Sequence, residues 1–69
     1  MKNIKIQLGQ LIRFKRKEKK MTQTQLADQI GSTITTISTI EKGTANPTLN
    51  NLIFIADVLK IDLFAFFNK

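Results

Sequence analysis

The sequence predicts an all-α domain of five short helices. Two observations carry this reading. Apolar residues recur at three- and four-residue spacing along most of the chain, with no strand-like alternation. Between these periodic segments stand small polar residues, glycines and the single proline, where helix ends belong.

Each element can be justified in turn. Helix one is expected over about residues 6–19, with Leu8, Leu11 and Ile12 facing inward. Thr22, followed three residues later by Gln25, forms a capping box that opens helix two over about 23–30. Leu26, Ala27 and Ile30 share one face of it, and Gly31 ends it in a left-handed conformation. Ala27 sits where two steeply crossing helices touch, which demands a small side chain. Thr33 can cap helix three over about 34–41, whose buried edge is Ile37 and Ile40. The run 42–47 reads as a loop, because Gly43 stops one helix and Pro47 disfavours helix at Asn46. Thr48 then caps helix four, with Leu49, Leu52, Ile53, Ala56 and Leu59 as its apolar stripe, and Asp62 caps a last short helix through Phe67.

Composition narrows the function. At 69 residues the chain is one domain, 1–69, near the lower limit for a core without staples. There is no cysteine and no histidine, so no metal site or cofactor is expected. No phosphate-cradling glycine loop or paired-carboxylate motif appears either, and an enzyme is the weakest reading. No apolar run is long enough to span a bilayer and no signal-peptide core follows Met1, so an intracellular, cytoplasmic place is expected, with no membrane partner. No small-molecule ligand is evident, and no ligand-sensing segment is apparent. The net charge of +6 favours polyanions. Arg13, Lys15, Arg16, Lys17, Lys19 and Lys20 crowd the end of helix one, relieved only by Glu18, where they also complement the helix macrodipole.

The stretch Thr22–Gly43 carries most of the functional information. Gln23, Leu26, Ala27, Ile30, Gly31, Ile37, Ile40 and Glu41, followed by Gly43, Asn46 and Pro47, resemble the helix-turn-helix of the lambda-repressor and Cro-like (Xre-type) regulators. The likeness runs from about Leu8 to Phe67, with the helix-turn-helix at about 23–42. It implies a five-helix lambda-repressor-like fold and a sequence-specific binder of double-stranded DNA, most simply a repressor. In that family helix three enters the major groove with its amino-terminal residues against the bases. Carried onto this chain, Ile34, Thr35, Ser38 and Thr39 are the base-facing positions. Gln23, Thr36, Lys42, Thr44 and Asn46 are the phosphate-facing ones. Arg16 and Glu41 match a pair that bridges helix one to helix three and leaves the arginine near a phosphate.

The chain departs from the family pattern in places. No base-facing position is Arg, Gln or Asn, the side chains suited to bidentate base recognition. Ile34 and the threonine methyls suit thymine methyls, while hydroxyls suit donors or acceptors, so a site rich in A·T pairs is expected. Lys20 replaces a helix-ending glycine, Ser32 an apolar turn residue, and Lys15 an apolar core residue for which Phe14 can substitute.

Relatives bind palindromic sites as two-fold dimers. The apolar carboxyl end, with Phe54, Leu63, Phe64, Phe66 and Phe67, suggests a homodimer through helix five, with Phe54, Leu63, Phe64 and Phe67 at the contact. Two alternatives stand beside this reading. One is an antitoxin or restriction-modification controller of the same fold. The other is non-specific binding to a polyanion or membrane surface through the basic segment of helix one.

Overall fold

The computed structural model describes residues 3–68. These contain five α-helices: α1 (Ile4–Glu18), α2 (Gln23–Ile30), α3 (Ile34–Lys42), α4 (Leu49–Leu59) and α5 (Leu63–Phe67). Local chemistry explains every helix start. Asn3, Thr22, Thr33, Thr48 and Asp62 each accept a hydrogen bond from an amide of the first turn that has no intrahelical partner. At Thr22 the box is closed in both directions. The Gln25 amide donates to the threonine hydroxyl at 3.0 Å, and the Thr22 amide donates to the glutamine oxygen at 2.8 Å.

Four helix ends share one device. Met21, Ser32, Thr44 and Ile61 each donate a backbone N–H five residues back, to Arg16, Ala27, Thr39 and Ala56. The residue before each donor has positive φ: Lys20, Gly31, Gly43 and Lys60. Lys20 is the positive-φ residue expected from its position, whereas nothing in the sequence marks Lys60.

The core is one cluster. Ile12, Leu26, Ile37, Ile55 and Leu59 are essentially inaccessible, and Leu8, Ala27, Ile30, Ile40 and Phe66 complete it. Two expectations need correction. In α4 the stripe is Leu52, Ile55, Ala56 and Leu59, with Ile55 fully buried, while Leu49 (71% exposed) and Ile53 (48%) face outward. Both sets fit the spacing i, i+3, i+4, i+7 because α4 is apolar almost all round, so tertiary packing decides between them. Phe14 does not replace the missing core residue of α1. It lies about 200° around the helix from Ile12 and is 59% exposed. Lys15 is half-buried instead and reaches Glu18 at 3.7 Å. Helix α1 also starts earlier than expected, because Asn3 caps it.

Helix α1 packs chiefly on α3, and glycines set how closely. A Cβ on Gly9 would lie 2.5 Å from the Ile40 carbonyl oxygen and 2.6 Å from that of Glu41. A Cβ on Gly43 would lie 2.8 Å from the Ile6 Cα. Gly43 also has φ +77°, so it answers two demands at once. At Gly9 the first helix thus rests directly on the backbone of the last turn of α3, and at Gly43 the Ile6 backbone and side chain fill the space a Cβ would need.

Two stability changes of opposite sign are expected. Gly9→Ala should lower the melting temperature although alanine is the better helix former by about 1 kcal/mol, since forcing a methyl into a filled contact costs about 1–3 kcal/mol. Lys60→Gly should raise it, because a left-handed non-glycine residue costs about 1–2 kcal/mol. Thermal unfolding of the two variants beside the parent chain checks both signs.

Candidate nucleic-acid interface

The site is built around one buried carboxylate. Arg16 of α1 donates to Glu41 of α3 through both edges of its fork, Nε to Oε2 at 2.7 Å and Nη2 to Oε1 at 3.0 Å. Gln23 of α2 donates from Nε2 to the same Oε1 at 3.1 Å. The remaining arginine nitrogen, Nη1, donates to the Met21 carbonyl at 2.7 Å, in the turn between α1 and α2. The Arg16–Glu41 pair therefore ties three helices and one turn together. The side chains of Arg16 and Glu41 are 9% and 3% exposed. A planar, doubly hydrogen-bonded fork is the geometry that makes burial of two charges tolerable. The Arg16 guanidinium is held above its ordinary pKa, first by its hydrogen bond to Glu41 and then by that carboxylate's charge, with burial opposing both.

With α3 pinned at its carboxyl end, the α2–α3 turn sets its amino end. Ala27 is buried at the crossing, Gly31 closes α2 with φ 68°, and Thr33 caps α3 by accepting from the Thr36 amide at 3.2 Å. Ile37 and Ile40 are buried. The opposite face of α3 is left open. Ile34, Thr35, Ser38, Thr39 and Lys42 line, together with Gln23, a shallow concavity of about 310 Å³ between the start of α2 and the outer face of α3. All four expected base-facing residues, and two of the expected phosphate-facing ones, fall on this one surface.

Within that surface the side chains differ in their commitments. Ile34 is 50% exposed and Thr35 is exposed. Ser38 and Thr39 are half-buried. Thr39 Oγ1 donates to the Thr35 and Thr36 carbonyls, each at 3.0 Å. Lys42 is exposed at the carboxyl end of α3.

The remaining expected contacts are placed differently. Thr36 lies outside the concavity, half-buried, with its hydroxyl 3.0 Å from that of Thr33. Thr44 and Asn46 are exposed in the following loop, and the Thr44 hydroxyl donates to the Thr39 carbonyl at 3.3 Å. Arg16, expected near a phosphate, is only 7% exposed, and its donors are directed at Glu41 and Met21. Its role is to hold α3 in position. Gln23 is likewise partly engaged with Glu41, a link that sequence spacing gave no means of seeing. Arg13, Lys17, Lys19 and Lys20, on α1 and the turn after it, are exposed cations. At the opposite end of the chain, Leu63, Phe64 and Phe67 join Leu49, Leu52 and Asn68 around an open groove of about 440 Å³. Phe54, though 49% exposed, does not line it. Among the described residues no cluster of His, Cys, Asp or Glu could hold a metal, and no helix is long and apolar enough to cross a membrane.

Residues 12–66 match the helix-turn-helix family across the whole of this arrangement. The chain belongs to the lambda-repressor-like helix-turn-helix family. It is 43% identical over 56 residues to the ImmF control region 10 kDa protein of Bacillus phage phi105, a match covering 81% of this chain and 62% of that protein. It is 44% identical over 48 residues to the cryptic phage CTXphi transcriptional repressor RstR of Vibrio cholerae serotype O1, covering 70% of this chain and 43% of the repressor. The chain therefore spans less than two thirds of the length of each of these relatives.

The Glu41 junction makes its own prediction. Arg16→Met or Glu41→Gln alone should lower unfolding free energy by about 3–5 kcal/mol, far beyond the ~0–1 kcal/mol of an exposed pair. The double variant should lose less than the sum, and simple additivity in a urea-denaturation cycle would refute the coupling. Because the arginine pKa is raised on folding, its contribution is complete below the ordinary arginine value and lost only above it. The Arg16 end of the pair should consequently show no titration in stability measurements between pH 5 and pH 9, a range of roughly the usual working conditions.

Proposed function

We propose that this chain is a DNA-binding transcriptional regulator that sets α3 into the major groove of duplex DNA and represses by occupying its operator. The observation that carries this reading is the concavity lined by Gln23, Ile34, Thr35, Ser38, Thr39 and Lys42. It brings an open, uncharged helix face together with a helix amino-terminus and a cation. The major groove admits one α-helix, and base edges there present a readable pattern of donors, acceptors and methyls. The family likeness and the relative named as a transcriptional repressor support the same reading.

The roles divide by chemistry. Ile34, Thr35, Ser38 and Thr39 face the bases. Gln23, Lys42, Thr44 and Asn46 meet the phosphates, which position α3 without reading sequence. Thr36, beside the amino end of α3, lies nearer the backbone of the duplex than its bases. With no Arg, Gln or Asn on the open face, contact rests on methyls and hydroxyls, and the preferred half-site is rich in A·T pairs.

The chain acts as a homodimer on a two-fold symmetric site, its half-sites about 34 Å apart along the duplex. The groove around Leu63, Phe64 and Phe67 is the contact, and Phe54, 49% exposed elsewhere on α4, joins it in the dimer. Phe64 is 77% exposed, more than any other large apolar side chain among the described residues. Exposed phenylalanines grouped on one surface suit an interface core.

Selection of bound duplexes from a random pool, at two salt concentrations, tests the central reading. A·T-rich half-sites are expected under α3, and guanine-rich ones would overturn the base-contact assignment. Affinity should fall by about 0.9 log units per log unit of salt for each phosphate neutralised. Phe64→Asp should shift the protein toward monomer in sedimentation, and a monomeric parent chain at high concentration would remove the dimer.

A further inference from the structure

The open face of α3 carries three hydroxyl side chains that look interchangeable in sequence and differ in the structure. The hydroxyls of Thr35 and Ser38 make no hydrogen bond among the described residues, so each is free to donate or accept. Thr39 is committed. Its hydroxyl oxygen lies 3.0 Å from the carbonyl oxygens of both Thr35 and Thr36, so its single proton is given to the helix backbone. Its own carbonyl accepts from the Thr44 amide at 3.1 Å and the Thr44 hydroxyl at 3.3 Å, which fixes the backbone from the other side. Staggering at Cβ then places the methyl in a different well from the oxygen, away from the helix carbonyls. Thr39 lines the concavity, and with its only proton committed to the helix it has a methyl and acceptor lone pairs left to offer, but no donor.

We propose that Thr39 is a methyl reader, selecting thymine by packing on its C5-methyl group, with its hydroxyl serving the helix instead of a base. This rests on α3 being the base-reading helix and adds what that reading leaves open, namely which of two chemistries a threonine uses. A back-bonded hydroxyl has no proton for the O6 or N7 of guanine or the O4 of thymine. Thymine is the base with a methyl on its major-groove edge. Ile34, half exposed on the same concavity, extends the apolar surface on which such a methyl can rest.

The test starts from the duplex that the parent chain prefers in the selection experiment. Each thymine of a half-site is replaced singly by deoxyuridine, which removes the methyl and keeps the hydrogen-bonding edge. One position is expected at which this substitution weakens binding by about fourfold, the value of one buried methyl-sized group. Thr39→Ser keeps the hydroxyl and removes the methyl, and should abolish the thymine-over-deoxyuridine preference at that position alone. Thr39→Val keeps the methyl and removes the hydroxyl, and should retain that preference whatever happens to overall affinity. Circular dichroism melts of both variants separate loss of fold from loss of contact. A preference that survives in Thr39→Ser but disappears in Thr39→Val would show that the hydroxyl reads the base. Insensitivity of the parent chain to deoxyuridine at every position would also overturn the proposal while leaving sequence-specific binding intact. Failure to select any duplex would overturn the DNA reading itself, and this inference with it.

Discussion

A single buried carboxylate decides how this small domain is assembled. Glu41 lies at the end of α3, takes two hydrogen bonds from Arg16 and one from Gln23, and is almost closed to solvent. An ion so placed is strongly unfavourable unless its lone pairs are satisfied, and the arrangement that satisfies them requires α1, α2 and α3 to be in one relative position. Apolar side chains alone tolerate sliding and rotation, because dispersion and burial have little direction. The fork of Arg16 does not. Its planar geometry turns a general attraction between helices into a fixed one.

The backbone contact beneath that junction works in the same sense. Gly9 and Gly43 let α1 lie against the last turn of α3 at a distance that no side chain would permit. Shortening this contact brings the Arg16 head, about two turns further along α1 than Gly9, within reach of Glu41. Close packing and the charged pair are therefore two parts of one device, set at the carboxyl end of α3. The amino end of α3 is held separately, by the Ala27 crossing, the Gly31 turn and the Thr33 cap. Between two fixed ends the outer face can remain uncommitted.

That outer face has a division of labour. Isoleucines point inward, while the exposed side mixes one isoleucine with small hydroxyl residues and ends in a lysine. Such a surface has modest desolvation cost and short reach, so whatever it meets must come close to the helix. The hydrogen bond from Thr39 back to its own helix makes the surface less polar than its composition implies. The apolar groove near the carboxyl end lies apart from this face and shares none of its lining residues, which leaves both surfaces free to be used together.

Sequence alone determined the helices and most of their ends, the Asn3 start of α1 and the left-handed Lys60 apart, since caps, glycine turns and 3.6-residue periodicity are local physics written within a few residues. It also identified the open face of α3 and the Arg16–Glu41 pair, because helical spacing separates Ile37 and Ile40 from their polar neighbours and the pair matches a known pattern. What only the tertiary structure decided depends on partners distant along the chain. Leu49 and Ile53 or Ile55 could equally have formed the buried ladder of α4, and packing against the rest of the core chose Ile55. Phe14 was turned outward by the phase of α1, Arg16 was withdrawn from solvent by Glu41, and Gln23 was drawn to the same carboxylate. Gly9 looks like an ordinary helix-weakening residue until the carbonyls of Ile40 and Glu41 are seen against it. Periodicity fixes which residues share a face, but only a neighbouring surface fixes what that face meets.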